Sequence, residues 1–431
     1  MSAKQAGTLF KSRRFLPLFI AMETGAFNDN LLKQSLVIMV TYGGLSFFGI
    51  SQAILIPLAT TLFTLPFLFL SAIAGQVADK YDRSLILRQI KRIEILIMVI
   101  AAIGFALQNS IILMVALLLM GSQSAFFTPT KNAILPQALA ENELITGNAL
   151  ISGIIYVMIL AGQATATVLI LKHFGPYYVS ALLLSLAVIG WLGSKKIPSA
   201  PAPEPDLVID YNILTKSISM LGDAWRDKPV FRPLAGIAWF YGFGAIFLAM
   251  FPNYIKNALF YDETVLLFTM VLFTIGAMTG ALLCVILARG KEAVWLSAIG
   301  IVGVSLFSLD LYMHAGWDAR TGLGTLAEFF ANPKSTRFII GLFGAAVCSG
   351  LFVVPLQAMS QNRANPQYRA RLLAAGAIML NLSVNGFQLL LVLFGKLKLP
   401  YHFPFLMISV ISLLVAVYTA YRVIVLKRQS V

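Results

Sequence analysis

Apolar residues arrive in long blocks along this chain, without the alternation of a half-buried strand or the narrow stripe of a soluble amphipathic helix. Runs of spanning length lie at about 15–42, 48–75, 86–107, 110–131, 144–171 and 176–194, then at about 231–255, 263–288, 292–313, 337–361, 368–395 and 402–425. Roughly 20 such residues in a helix cross the ~30 Å hydrocarbon core, so the pattern predicts twelve membrane-spanning helices in an all-α fold. Between the sixth and seventh runs, Lys195 to Asp227 is polar and holds Pro198, Pro201, Pro203 and Pro205. Within it, Tyr211 to Trp225 has the character of an amphipathic interfacial helix. The expected organisation is an N-terminal six-helix bundle over 1–194, a linker over 195–230 and a C-terminal six-helix bundle over 231–431.

Composition agrees. The chain is 59% hydrophobic and 12% charged, which excludes an ordinary soluble globular protein. Its net charge of +14 suggests nucleic acid only in a soluble chain. Here alternation places roughly 24 Lys and Arg on the side of the two termini against about 7 opposite, the asymmetry of a cytoplasmic face. Both termini and the linker are therefore expected in the cytoplasm, and no nucleic-acid partner is expected. Cys284 and Cys348 sit inside apolar runs, and His173, His314 and His402 lack metal-ligand spacing. No metal and no cofactor is expected, apart from possible coupling to sodium or protons.

One run contradicts its own surroundings. Gly25-Ala26-Phe27-Asn28-Asp29-Asn30-Leu31-Leu32-Lys33 places two amides, a carboxylate and an ammonium near the middle of the first span. Each Asp or Lys there costs about 2.5–3.5 kcal/mol to insert, whereas a Leu, Ile or Phe returns about 0.3–0.6. With Glu23 on the same helix, the balance demands that these groups face one another or a polar interior. Asp29 and Lys33 stand at i and i+4, so they either neutralise each other or bind substrate or ion. Glu23, Asn28, Asp29, Asn30, Lys33 and Lys131 are the candidate substrate- or ion-binding residues. Gln123, Trp239, Tyr241, Asn381, Asn385 and Gln388 are candidate cavity-lining residues, with interhelical hydrogen bonding and packing as their alternative.

The two halves share local patterns. Phe126-Phe127-Thr128-Pro129 and Phe352-Val353-Val354-Pro355 close the fourth and tenth runs, and Pro17-Leu18 and Pro233-Leu234 open the first and seventh. In that register Asn28-Asp29-Asn30 falls opposite Gly244-Ala245-Ile246, so the midplane charge belongs to the first half. After the second run, Gly75-Gln76-Val77-Ala78-Asp79-Lys80-Tyr81-Asp82-Arg83 is followed by Arg88, Lys91 and Arg92. This loop resembles the signature loop of the major facilitator superfamily, with Asp82 where the family has a second glycine. Gly75, Asp79 and Arg83 are the expected conformational clasp: the glycine for close helix approach, Asp79 at the next helix's start and Arg83 as its partner. The corresponding loop of the second half, Arg289-Gly290-Lys291-Glu292, is degenerate.

Within that superfamily, Phe15-Leu16-Pro17-Leu18-Phe19 and the Gly25 to Lys33 segment are similar to the start of bacterial lysophospholipid transporters and of transporter domains fused to acyltransferases. Phe127-Thr128-Pro129-Thr130-Lys131 leading to Leu135-Pro136 resembles the same group, although the loop from His314 to Thr336 is longer than expected for it. The resemblance implies a flippase that moves lysophosphatidylethanolamine and lysophosphatidylglycerol from the outer to the inner leaflet of the bacterial inner membrane. It also implies alternating access, a functional link to a lysolipid acyltransferase and a monomer among membrane lipids. A carboxylate suits an ethanolamine ammonium and a lysine suits phosphate. The alternative is a proton-driven facilitator for a drug, siderophore or small metabolite. An enzyme is not expected, since none of the three histidines begins the His-x-x-x-x-Asp of the acyltransferases.

Overall fold

The computed structural model describes residues 9–46, 49–288, 293–317, 322–363 and 369–429. The degenerate loop from Arg289 to Glu292 lies outside them. In chain order the helices are α1 (Leu16–Thr41), α2 (Gln52–Lys80), α3 (Arg83–Ala106), α4 (Ser110–Ala138), α5 (Glu141–Leu169), α6 (Gly175–Lys195), α7 (Ile213–Arg226), α8 (Lys228–Asn257), α9 (Glu263–Ala288), α10 (Val294–Met313), α11 (Leu326–Ala331), α12 (Pro333–Arg363), α13 (Arg369–Lys396) and α14 (Phe403–Gln429). Among the described residues nine helices are long and apolar enough to cross a membrane, with Val157–Leu169 as a shorter apolar segment. Two that fall outside this set are α1, which carries Glu23, Asp29 and Lys33, and α3, which carries Lys91, Arg92 and Glu94.

Those faces that other helices leave uncovered are apolar. Leu96, Leu107, Val157, Leu282, Ile286, Leu306, Leu414 and Val417 are all exposed. In water such surface would drive aggregation; in a bilayer it is solvated by lipid tails, so the chain is a multi-pass membrane protein. The chain divides into two compact units, Met1–Ile50 with Ala59–Ile213, and Ser51–Leu58 with Leu214–Val431. In the first, α1 packs along α5 and α6, and α3 along α4 and α6. In the second, α12 packs along α9 and α10, α8 along α13, and α10 along α14.

The turn between α2 and α3 departs from expectation in three ways. Asp79 lies in the last turn of α2, not at the start of the next helix; its carboxylate accepts from Arg83 at 3.0 Å. The helix start is capped by Asp82, which accepts from the backbone N–H of Ser84 at 2.8 Å and of Leu85 at 3.2 Å. A side chain was needed there for the orphan N–H groups of α3, and a glycine has none. Gly75 provides no close approach, because a Cβ added there meets nothing within 4 Å.

The beginning of the expected linker is strapped across this turn. Ser199 donates to Asp82 at 2.6 Å, the Arg83 N–H donates to the Ala200 carbonyl at 2.9 Å, and Arg88 donates to the Ile197 carbonyl at 2.8 Å. Arg83, buried, also donates to the carbonyls of Ala78 and Ala133, tying the ends of α2 and α4 together. Further on, α7 buries Ala224 against Val230, Leu234 and Ala375 while Ile218 and Trp225 stay exposed.

Partial burial raises the Asp82 pKa, but donors from Ser199, Ser84, Leu85 and Ala200 outweigh it and bring it down to about 2. A carboxyl depressed on folding stabilises fully above its ordinary value near 3.8, and that contribution disappears as pH falls through about 2. Asp82→Ala should cost about 1–2 kcal/mol of stability, as loss of a helix cap does. Thermal unfolding in detergent checks this: the wild-type advantage should be full at neutral pH and shrink in acid.

Candidate functional site

Consecutive residues on an α-helix point about 100° apart, so three polar residues in a row must address three different neighbours. The Asn28-Asp29-Asn30 triplet does this inside the first unit. The Asn28 amide donates to the Glu94 carboxylate of α3 and to the Leu183 carbonyl of α6, both at 3.2 Å. Asp29 accepts from the Ser124 hydroxyl of α4 at 3.0 Å. Asn30 accepts from the Gln163 amide of α5 at 3.3 Å and returns its own N–H to the Ala26 carbonyl. Helix α1 is thus tied to all four neighbours named by these bonds. Its approach to α5 is close because Gly162 stands there; a Cβ on it would lie 2.6 Å from the Phe27 carbonyl oxygen.

Behind the triplet is a charge pair that the sequence reading placed elsewhere. Lys91, counted above with the basic residues of the loop, is 0% exposed, and its ammonium meets the Glu94 carboxylate at 2.7 Å. Burial removes both charges from water, and the pair answers this with mutual contact, the Asn28 amide and the Phe127 ring 5.2 Å from the ammonium. Gly25 and Gly190 leave the space: a Cβ on Gly25 would sit 2.8 Å from the Lys91 Nζ. A Lys-x-x-Glu step inside the apolar run 86–107 was the available signal.

Asp29 and Lys33 do not form an ion pair with each other among the described residues. Lys33 instead lies over the Phe63 ring at 5.5 Å, and both side chains are half-buried, unlike Lys91 and Glu94. Glu23 is 3% exposed, and neither carboxylate oxygen has a hydrogen-bond partner among the described residues. Lys131 is half-buried and lies within electrostatic reach of Glu23 and Asp29. Gln123 is buried beside Ser124, from which it accepts at 3.3 Å, and does not itself bond to Asp29.

The sequence pattern of the Major Facilitator Superfamily matches residues 16–319, well over half of the chain. The chain belongs to the Major Facilitator Superfamily. Its relatives include the lysophospholipid transporter LplT of Cronobacter sakazakii, 24% identical over 367 residues, which are 83% of this chain and 82% of that protein. The corresponding protein of Serratia proteamaculans is 24% identical over 361 residues, 82% and 81% of the two chains. The fold is shared with the solved nucleoside transporter NupG, at a TM-score of 0.63 and 14% identity over 94% of this chain and 98% of that one. A POT family transporter in complex with 5-aminolevulinic acid gives 0.66 and 13%, covering 94% and 95%. These neighbours are transporters.

In the second unit of this facilitator the candidate residues behave differently. Gln388, fully buried, donates to the Ala245 carbonyl of α8 at 3.1 Å, the position that the half-repeat sets opposite Asp29. Asn385 and Asn381 each donate one turn back along α13, to the Asn381 and Ala377 carbonyls. Trp239 packs against Phe243 and Phe387, while Tyr241 is exposed and edges onto Phe240. The candidate amides of the second unit thus serve helix contacts, and the candidate ionisable residues Glu23, Asp29, Lys33 and Lys131 all belong to the first.

Removing one partner of a buried pair strands the other charge, so Glu94→Ala should destabilise the facilitator by about 3–5 kcal/mol. Lys91→Met combined with Glu94→Leu should recover most of that loss. Thermal unfolding of the three proteins in detergent decides the matter; a double variant no more stable than Glu94→Ala would show that the pair is not an isolated unit.

Proposed function

We propose that this protein is a secondary transporter that moves lysophospholipids, lysophosphatidylethanolamine and lysophosphatidylglycerol among them, from the outer to the inner leaflet of a bacterial inner membrane. Two six-helix halves with twelve spans, both termini in the cytoplasm, alternate access to the substrate. The observation that carries this reading is that Asp29 and Lys33, one turn apart, are half-buried and unpaired with each other. They therefore offer separate negative and positive contacts, whereas the fully buried Lys91–Glu94 pair is closed to any ligand. A carboxylate matches the ammonium of an ethanolamine headgroup and an ammonium matches its phosphate. Lys131 supplies a second cation for the phosphate. Similarity to the LplT proteins over about four-fifths of the chain supports the same substrate class.

Other parts of the reading follow from this assignment. Glu23, buried without a hydrogen-bond partner among the described residues, is the group we assign to the coupling ion, a proton or sodium. The Asp79–Arg83 pair and the strap over it act as a clasp that one conformation holds and the other releases. The protein works as a monomer among membrane lipids, without a cofactor and without catalysis of its own. A lysolipid acyltransferase consumes what it delivers.

Purified protein in liposomes should move fluorescent lysophosphatidylethanolamine to the inner leaflet, and Asp29→Ala should slow this by more than about tenfold, as loss of a charge-assisted contact would. The variant's melting profile should match the wild type. Undiminished movement by Asp29→Ala would remove the site; transport of a soluble nucleoside, peptide or drug without lysolipid movement would favour the carrier alternative. Imposed sodium and pH gradients identify the coupling ion.

A further inference from the structure

A cavity of about 460 Å³ opens in the second unit, between the start of α8, the C-terminal part of α12, the middle of α14 and the first residue of α10. Its wall is apolar, with Phe352, Leu356 and Val415 among its residues, and no acidic side chain lines it. Two arginines do, Arg232 near the start of α8 and Arg363 at the end of α12. Arg232 makes no hydrogen bond or ion pair among the described residues. Trp239, roughly 10 Å further along α8 at 1.5 Å per residue, also lines the cavity, and its buried indole N–H has no acceptor among them.

Chemistry therefore changes along the cavity from cationic at the helix ends to apolar deeper in, with one unused donor between hydrocarbon walls. That gradient is the inverse image of a phospholipid lying parallel to the helices. Next in sequence to the lining residues Val294, Val415 and Tyr418, the residues Trp295, Leu414 and Val417 are exposed apolar surface, which a bilayer covers with lipid. A volume of this size falls in the range of about 300–1,000 Å³ that holds small ligands, and an uncompensated arginine at a membrane surface favours anionic lipid.

We propose that this crevice binds an anionic diacyl phospholipid of the surrounding leaflet, with its phosphate at Arg232 and Arg363, an ester carbonyl accepting from the Trp239 N–H and one acyl chain against Leu356 and Val415. The site shares no residue with the ionisable cluster of the first unit and does not rest on the transport reading. Bound lipid there would make the second unit's stability depend on headgroup charge.

Brominated acyl chains quench tryptophan on contact, and the Trp239 contribution is the difference between wild type and Trp239→Phe. The full chain is reconstituted in phosphatidylcholine containing a small fraction of dibrominated phosphatidylglycerol, dibrominated phosphatidylcholine or dibrominated lysophosphatidylglycerol. Phosphatidylglycerol should quench Trp239 several-fold more than phosphatidylcholine does. Arg232→Gln should abolish that preference and Arg232→Lys should retain it, which separates lost charge from misfolding; Ala235→Phe, which fills the cavity, should reduce quenching by both diacyl lipids. Equal quenching by the two diacyl lipids in the wild type, or an unchanged preference in Arg232→Gln, overturns the proposal. Stronger quenching by the lysolipid than by diacyl phosphatidylglycerol also overturns it and makes the crevice a lysolipid station instead.

Discussion

A lysine and a glutamate with no access to water are tolerable only if each satisfies the other, and the first unit is arranged around that requirement. Lys91 and Glu94 meet at 2.7 Å on one face of α3. Their presence dictates what surrounds them. Gly25 on α1 and Gly190 on α6 lack side chains where the lysine lies, and Asn28 supplies the hydrogen bond that Glu94 still needs. A buried pair of this kind contributes little net stability compared with apolar residues of the same shape, but it penalises any packing that separates its partners. It therefore sets the position of α1 against α3 and α6.

That positioning gives the Asn28-Asp29-Asn30 triplet its geometry. Once Asn28 is directed at Glu94, helical rotation directs Asp29 at Ser124 and Asn30 at Gln163 without further choice. Lys33, one turn on from Asp29, then comes over Phe63. The first unit thus contains two classes of charge. One, Lys91 with Glu94, is sealed between helices and holds the bundle; the other, Asp29, Lys33 and Lys131, is half-buried. In the second unit, by contrast, Gln388 meets a backbone carbonyl at the matching position, so the asymmetry between the halves extends from residue type to hydrogen bonding.

Much of this was legible in linear order. Block-like apolar runs account for the helical architecture, and the cost of midplane charge singles out α1 before any neighbour is known. Superfamily membership could be read from the loop around Asp79 and Arg83, and their ion pair is present. Other readings failed for identifiable reasons. Lys91 resembles its neighbours Arg88 and Arg92 in sequence, and only the packing of α6 and α1 against α3 shows that it points inward. Asp79 and Asp82 are three residues apart, so the choice of helix cap depends on where α2 stops. Gly75 looks like a contact glycine, yet a Cβ added there would meet nothing within 4 Å.

The sequence by itself determined that the chain is helical, membrane-embedded and a facilitator, because insertion energy and helical period act residue by residue and leave a one-dimensional record. It also determined that α1 carries charge at mid-depth. Only the tertiary structure decided which charges meet: Lys91 with Glu94, Asp29 with Ser124, and Lys33 with an aromatic ring instead of Asp29. Pairing depends on the rotation and approach of whole helices. Those are set jointly by glycine contacts, buried amides and apolar packing from several segments distant in sequence, so no single stretch of the chain records them.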